Sequence, residues 1–207
     1  MALSTRTTTS GLWTESLAEF QRYNSYTRFR PTFYTLGAAI FHQPNPGTQA
    51  IAIKQWTHLL LAYARHRRLF ILRIEDSETT GNEWDEVLRN ERVNRKLLPP
   101  YLSHILSFMV TTDVAAYEPS KQTRSVLLYW RSPDEWAEIL HSWATTTGQL
   151  NTILTFYDIT DPPIESELTG IPISLLRKAI TILSKTNRAQ MIGVADGEGV
   201  RIFAAGR

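Results

Sequence analysis

The pattern that most constrains this chain of 207 residues is an order of predicted helices and strands that occurs twice. Apolar residues at three- and four-residue intervals predict helices, whereas β-branched and aromatic runs predict strands. In the first half the order is helix, strand, helix, helix, strand, strand, over residues 48–66, 69–74, 87–94, 100–110, 115–118 and 126–130. Thr48 follows a run of helix breakers and is the expected N-cap of the first helix.

The second half repeats this order with clearer end signals. Ser132-Pro133-Asp134-Glu135 is a capping box at the start of a helix, and Gly148 is expected to end that helix. The following elements are a strand over 152–159, a short helical turn near 164–168, a helix capped by Ser174, and strands over 189–195 and 200–203. Asp196-Gly197 supplies the positive φ angles that a tight hairpin needs between the last two strands.

This repeated order predicts an α+β fold of two tandem winged-helix domains, with the boundary near Arg131. The first domain is expected over residues 29–131, including an arm at its N-terminal end, and the second over 132–207. Residues 1–28 are rich in Thr, Ser and Arg, and we expect them to form a flexible lead-in.

Composition limits the classes of function. Apolar residues make up 43% and charged residues 20% of the chain, which is typical of a globular protein. The absence of Cys excludes disulfides and Cys-based metal sites, and it is compatible with a reducing cytosolic compartment. Apolar runs such as 59–62 are too short to span a bilayer, and the N-terminal residues lack the apolar stretch of a secretory signal.

No catalytic, cofactor-binding or metal-binding residues are predicted. The five His residues are scattered, with no pair at metal-ligand spacing. Gly197 and Gly199 belong to the predicted hairpin and lack the following helix that a phosphate-binding loop requires. We therefore expect a protein that is not an enzyme and needs no cofactor.

DNA binding is the strongest alternative on fold alone, because many winged helices read the major groove with their third helix. In the first domain, that predicted helix over 100–110 carries no Lys or Arg. In the second domain, Arg177, Lys178, Lys185 and Arg188 accompany the helix, and Arg201 lies in the wing. Because this footprint and the net charge of +2 are small, we expect no nucleic-acid partner, with winged-helix DNA binding kept as the alternative.

Several segments, taken in order, resemble the vacuolar protein sorting-associated protein 25 family, the small winged-helix subunit of the ESCRT-II complex. The similar segments span about residues 29–203 and are densest in the second half; they are 92–97, 129–136, 143, 151–158, 175–180 and 196–203. The resemblance implies an assembly subunit present in two copies with two larger ESCRT-II subunits. It further implies a cytoplasmic protein recruited to endosomes, where ubiquitinated cargo is sorted into multivesicular bodies.

In that family an N-terminal segment rich in Pro and aromatic residues docks each copy onto a larger subunit, and here it aligns with Pro31, Thr32, Phe33 and Tyr34. Proline holds such a segment extended, and the aromatic side chains supply buried anchors. Thr32 stands where the family usually has a second proline, and Gly37–His42 looks like an insertion. The alternative, that Phe33 and Tyr34 cover the core of their own domain, stays open.

The resemblance also implies that the second winged helix recruits an ESCRT-III subunit. Arg177, Lys178, Lys185 and Arg188 are the candidate recruiting surface, since they lie off the apolar face of the last helix and could contact an acidic stripe on a partner. The alternative is an ordinary solvated helix face.

The basic cluster Arg65-His66-Arg67-Arg68 ends the first predicted helix, where cations interact favourably with the helix dipole. Anionic endosomal lipid is the other contact such a cluster could make. Contact with the membrane is otherwise expected to be indirect, through the complex.

Overall fold

We describe a computed structural model of the protein over residues 46–90, 95–194 and 197–204. These residues form two compact units that divide between Trp130 and Arg131. No helix in the described ranges is both long and apolar enough to cross a membrane.

The described part of the first unit, residues 46–90 and 95–130, contains three α-helices, a 3-10 turn and five short strands. In chain order they are α1 (Pro46–Arg67), β1 (Ile71–Arg73), the 3-10 turn (Ile74–Ser77), α2 (Asp85–Leu88), β2 (Arg89–Asn90), β3 (Arg95–Lys96), α3 (Pro99–Thr111), β4 (Ala115–Tyr117) and β5 (Ser125–Leu128). Strands β1, β5 and β4 form an antiparallel sheet with β5 in the middle, while β2 and β3 pair separately.

The core of the first unit lies between the helices and this sheet. Leu60 of α1 and Leu102, Ile105 and Leu106 of α3 are fully buried, as is Leu72 of β1. The helical spacing of the residues in α1 and α3 forms the apolar stripes that the sequence predicts. Burial of each of these side chains contributes about 1.5–3 kcal/mol to stability.

In its described residues, the second unit has three helices and three strands. They are α4 (Pro133–Thr146), β6 (Ile153–Thr155), α5 (Phe156–Thr160), α6 (Ile173–Lys185), β7 (Ala189–Val194) and β8 (Gly197–Ile202). The sheet is antiparallel in the order β6, β8, β7, and α4 packs against α6. With the short β2–β3 pair of the first unit set aside, each unit therefore has the helix, strand, helix, helix, strand, strand order of a winged helix.

The predicted limits of α4 are confirmed. Ser132 Oγ accepts a hydrogen bond from the Glu135 amide at 3.1 Å, and the Glu135 carboxylate accepts one from the Ser132 amide at 2.9 Å. Gly148 has a φ of 70°, the left-handed conformation that commonly follows a helix end.

Two other helix starts differ from the prediction. Helix α1 begins at Pro46 rather than after Thr48, and the N-cap of α6 is Pro172 rather than Ser174. Proline suits a helix start because its fixed φ is already close to helical and its missing N–H would have had no partner there.

The prediction of one long strand over 152–159 is wrong. Strand β6 ends at Thr155, where Thr155 Oγ1 accepts a hydrogen bond from the Asp158 amide at 3.2 Å and Asp158 accepts one from the Thr155 amide at 2.8 Å. This capping box starts α5. The helical turn predicted near 164–168 is instead an irregular turn, in which the Ser166 amide donates to Thr169 Oγ1 at 2.9 Å.

The helix predicted over 87–94 is also wrong in its limits, since α2 ends at Leu88. Arg89 is extended and pairs with Lys96, and the Leu97 amide donates to the Leu88 carbonyl at 2.8 Å. Tertiary pairing thus overrides the local helical pattern.

We predict that Ser132→Ala lowers the free energy of unfolding by about 1 kcal/mol, because it leaves the Glu135 amide without its cap. Urea unfolding followed by far-UV circular dichroism measures the change. Ser142→Ala, at an exposed position within α4, is the control and should change stability by less than about 0.5 kcal/mol. Equal losses in the two variants would contradict the capping role.

Candidate functional site

The predicted docking segment Pro31, Thr32, Phe33 and Tyr34 lies outside the described residues, as does Gly37–His42. Its role therefore stays a prediction. The candidate recruiting surface of the second unit lies within the described residues and can be built from its local structure.

Helix α6 presents two chemically different faces. Leu176, Ala179, Ile180 and Leu183 are fully buried on one face. Arg177, Lys178 and Lys185 are exposed on the other, and Lys178 and Lys185 lie nearly in line because seven residues make about two turns. We call these three residues the α6 cations.

Arg177 is partly held by its own unit, since its guanidinium carbon lies 5.9 Å from the centre of the Phe156 ring. A guanidinium over an aromatic face keeps its charge while its stem covers apolar surface. Among the α6 cations, Arg177 is therefore the one that lies next to α5 and contacts an aromatic ring of its own unit.

Arg188 differs from the other three predicted residues because it forms an ion pair with Glu138. Its Nη1 donates to Glu138 Oε2 at 2.9 Å, its Nη2 donates to Glu138 Oε1, and its Nε donates to Thr186 Oγ1 at 3.1 Å. The hydrogen bond from Arg188 lowers the pKa of Glu138 and raises that of Arg188. The structure therefore groups Arg177, Lys178 and Lys185, and places Arg188 in a bidentate contact with α4.

The outward face of the second sheet is a further surface, of which the sequence indicated only Arg201, in the predicted wing. Arg201 of β8 lies between Ile153 of β6 and Gln190 of β7 in register, and Ile153 is 49% exposed. Among the described residues, the buried Arg201 Nε has no hydrogen-bond partner. Side chains alternate along β6, with Leu154 pointing inward and Ile153 outward. This alternation is the sequence pattern from which the face could have been predicted.

The corresponding third helix of the first unit, α3, is chemically different. It carries no Lys or Arg, and its exposed hydroxyls are used internally. Ser107 Oγ donates to the Ser103 carbonyl at 3.0 Å, and Thr111 Oγ1 donates to the Ser107 carbonyl at 2.8 Å. This surface lacks the cations that contacts to DNA phosphates require.

In the described part of the chain, no group of three or more His, Asp or Glu side chains is arranged to hold a metal ion. The titratable groups with shifted pKa values are also dispersed. The Tyr101 pKa is raised to about 12 by burial, and burial likewise raises that of Asp76. Both residues lie in the first unit, whereas the Glu138–Arg188 pair is in the second.

Comparison with known proteins gives one consistent result. A family model described as ESCRT-II complex subunit matches residues 25–172. Vacuolar protein-sorting-associated protein 25 of Drosophila melanogaster is 31% identical over 189 residues, covering 90% of this chain and 100% of the relative. Its Homo sapiens counterpart is 27% identical over 176 residues, covering 84% of this chain and 93% of the relative.

Solved structures give the same fold. The crystal structure of subunit VPS25 of the endosomal trafficking complex ESCRT-II aligns with a TM-score of 0.68 at 22% identity, covering 82% of this chain and 96% of that one. A chain of the ESCRT-II complex VPS22/VPS25/VPS36 aligns with a TM-score of 0.67 at 21% identity, covering 84% and 98%.

These likenesses and the two repeated units define a tandem winged-helix protein, which confirms the predicted fold class. The chain belongs to the ESCRT-II complex subunit family, among the relatives called vacuolar protein-sorting-associated protein 25. The resemblance inferred from the ordered sequence segments is thereby confirmed.

We predict that Arg188→Gln raises the pKa of Glu138 back toward its usual value. Because the folded-state pKa is lowered, the ion pair stabilises the protein above the usual carboxyl pKa, and this stability is lost as the pH falls through the lowered value. For a pair this exposed the contribution is at most about 1 kcal/mol. A pH titration of the Glu138 carboxyl carbon by NMR measures the pKa.

Lys178→Gln removes an equal charge from α6 and is the control, with no change expected in the Glu138 titration. An unchanged Glu138 pKa in Arg188→Gln would show that the pair does not hold in solution.

Proposed function

We propose that the protein is an assembly subunit of ESCRT-II that acts in sorting ubiquitinated cargo into multivesicular endosomes. The observation that carries this proposal is the family match over residues 25–172, supported by relatives aligned over most of their lengths. The protein would work in the cytoplasm and reach the endosome as part of the complex. It would act through protein contacts and catalyse no reaction, as fits a family of complex subunits.

The partners in this proposal are two larger ESCRT-II subunits, each bound to one copy of this chain. In support, one of the similar solved structures is a complex of VPS25 with VPS22 and VPS36. Pro31 would hold the docking segment extended, and Phe33 and Tyr34 would enter pockets of the larger subunit. A segment that is extended before binding loses less conformational entropy when it docks.

We predict that the double substitution Phe33→Ala, Tyr34→Ala removes the protein from the complex with the two larger subunits, because truncating a buried aromatic anchor costs 2 kcal/mol or more, about 30-fold each. Co-purification of the co-expressed subunits measures retention. The pair Phe20→Ala, Tyr23→Ala changes two aromatic residues upstream of the segment and should be retained. Full retention of the Phe33, Tyr34 variant would overturn the docking assignment.

The second unit would recruit an ESCRT-III subunit through the α6 cations. All three are exposed, and the burial of the opposite helix face holds them on a rigid surface. Exposed cations mainly speed the encounter with an acidic partner and set its orientation. Arg188 would contribute less, because Glu138 already offsets its charge.

We predict that Lys178→Glu, Lys185→Glu weakens binding of the ESCRT-III subunit on the order of tenfold, mostly through a slower association rate. The deficit should shrink at high salt, where surface charges are screened. Stopped-flow association at several salt concentrations measures both effects.

Lys96→Glu, Lys121→Glu is the matched control, since it makes the same charge change at exposed positions of the first unit. An equal loss in this control would assign the effect to net charge. Wild-type rates in the Lys178, Lys185 variant would reject the α6 cations as the recruiting surface.

A further inference from the structure

The charges of the first half of the chain are strongly segregated. Residues 20–74 contain no Asp or Glu but eight Lys and Arg, which are Arg22, Arg28, Arg30, Lys54, Arg65, Arg67, Arg68 and Arg73. The next twelve positions, 75–86, hold six acidic residues. The described part of this basic segment is mainly α1. Three of the five Lys and Arg residues in that described part, Lys54, Arg65 and Arg67, lie in this helix.

Helix α1 presents an acid-free stripe to the solvent. Ile51, Lys54, Gln55, His58 and Arg65 are all exposed. At 3.6 residues per turn they lie within about 100° of one another around the helix, over a length of about 21 Å. We call these five residues the α1 stripe.

Glu83 and Glu86 contact α1 on the side away from the α1 stripe. Tyr63 Oη donates to the Glu83 carbonyl at 2.7 Å and to Glu86 Oε2 at 3.3 Å, and Arg67 Nη2 lies 3.4 Å from the same Glu86 oxygen. Tyr63 and Arg67 project about 130–170° around the helix from the centre of the α1 stripe. The Glu86 carboxylate therefore offsets Arg67 and not Lys54 or Arg65.

Helix α1 also ends in an exposed cation beside the stripe. Arg68 follows the last helical residue with a φ of 56°, a left-handed conformation typical of helix ends. Its side chain is exposed and extends the positive surface beyond Arg65. At the opposite end, Ile51 is 60% exposed.

We propose that the α1 stripe lies along an anionic lipid bilayer, with Lys54 and Arg65 over phospholipid headgroups and Ile51 at the headgroup boundary. Two cations spaced along a convex helix, Lys54 and Arg65, suit a flat surface of diffuse negative charge. The apolar face of α1 is already buried in the core through Ile53, Trp56 and Leu60, so the helix rests on the surface without inserting that face. This contact is direct, unlike the indirect membrane contact implied by the resemblance.

Duplex nucleic acid fits the same stripe less well. DNA carries about one negative charge per 1.7 Å of helix axis, whereas Lys54 and Arg65 are the stripe's two Lys and Arg residues and are separated by about 16 Å. An exposed isoleucine also gains nothing from a phosphodiester backbone, but it gains from the headgroup boundary of a bilayer. The observations therefore favour a lipid surface.

The test is co-sedimentation of the full chain with phosphatidylcholine vesicles that either contain or lack phosphatidylserine. We expect binding that requires phosphatidylserine and decreases with salt. Each cation near an anionic surface contributes about fivefold in affinity, so Lys54→Ala, Arg65→Ala should weaken vesicle binding about 25-fold. Both side chains are exposed, so the fold should survive, and circular dichroism melting checks this.

Lys96→Ala, Lys121→Ala is the matched control, because it removes two exposed cations from the same unit but outside α1. It should bind within about twofold of wild type, since headgroup attraction falls off within a Debye length. Equal losses in the two double variants, or wild-type binding that does not depend on phosphatidylserine, would overturn the proposal.

Ile51→Ser separates a bilayer from nucleic acid, because it leaves every charge in place. We expect an approximately fivefold loss of vesicle affinity, from the exposed part of one apolar side chain, with no change in the retention of a DNA duplex in a gel-shift measurement. Unchanged vesicle binding by Ile51→Ser, together with lost duplex binding by Lys54→Ala, Arg65→Ala, would assign the α1 stripe to nucleic acid instead.

Discussion

Burial of the apolar stripe of the third helix holds each unit together and also decides which side chains are left for partners. Leu102, Ile105 and Leu106 of α3 are fully buried, as are Leu176 and Ile180 of α6. With one face of each helix committed to the core, the opposite face must point to solvent. In α3 that face carries Ser and His, whereas in α6 it carries Arg and Lys. One fold therefore offers two different surfaces within a single chain.

Local ion pairs then decide which cations can attract a partner. Arg188 is bound bidentately to Glu138, and Arg67 lies against Glu86. A carboxylate at this distance offsets most of the field of its arginine. Lys185 in the second unit, and Lys54 and Arg65 in the first, are exposed and lie away from these two pairs. Both proposed surfaces include such residues.

Elements with strong end signals could be predicted from the sequence, and elements decided by pairing could not. The Ser132 and Glu135 capping box and Gly148 act within one turn of chain, and both ends of α4 have the predicted form. The β-branched run over 152–159 satisfies the strand pattern, yet Thr155 and Asp158 start a helix inside it. Residues 89–90 similarly leave a helical pattern because they pair with 95–96.

In the candidate recruiting site, too, the local helix pattern could be predicted from the sequence and the contacts between distant residues could not. The periodicity of α6 separates Arg177, Lys178 and Lys185 from the apolar face without reference to any other element. The contact between Arg188 and Glu138 joins residues 50 positions apart, so no local pattern indicates it. The outward face formed by Ile153 and Arg201 likewise depends on the pairing of β6 with β8.

The amino-acid sequence by itself determined the doubled order of elements and the amphipathic faces of the long helices. It also determined the positive charge of residues 20–74, which contain Lys and Arg but no Asp or Glu. These properties follow from residue spacing over a few turns and from composition, and they do not depend on distant contacts. Only the tertiary structure decided that Glu86 lies behind the α1 stripe, that Glu138 binds Arg188, and that β6 ends at Thr155. Each of these outcomes depends on which other groups the fold brings within hydrogen-bonding distance, and that distance is a property of the folded chain.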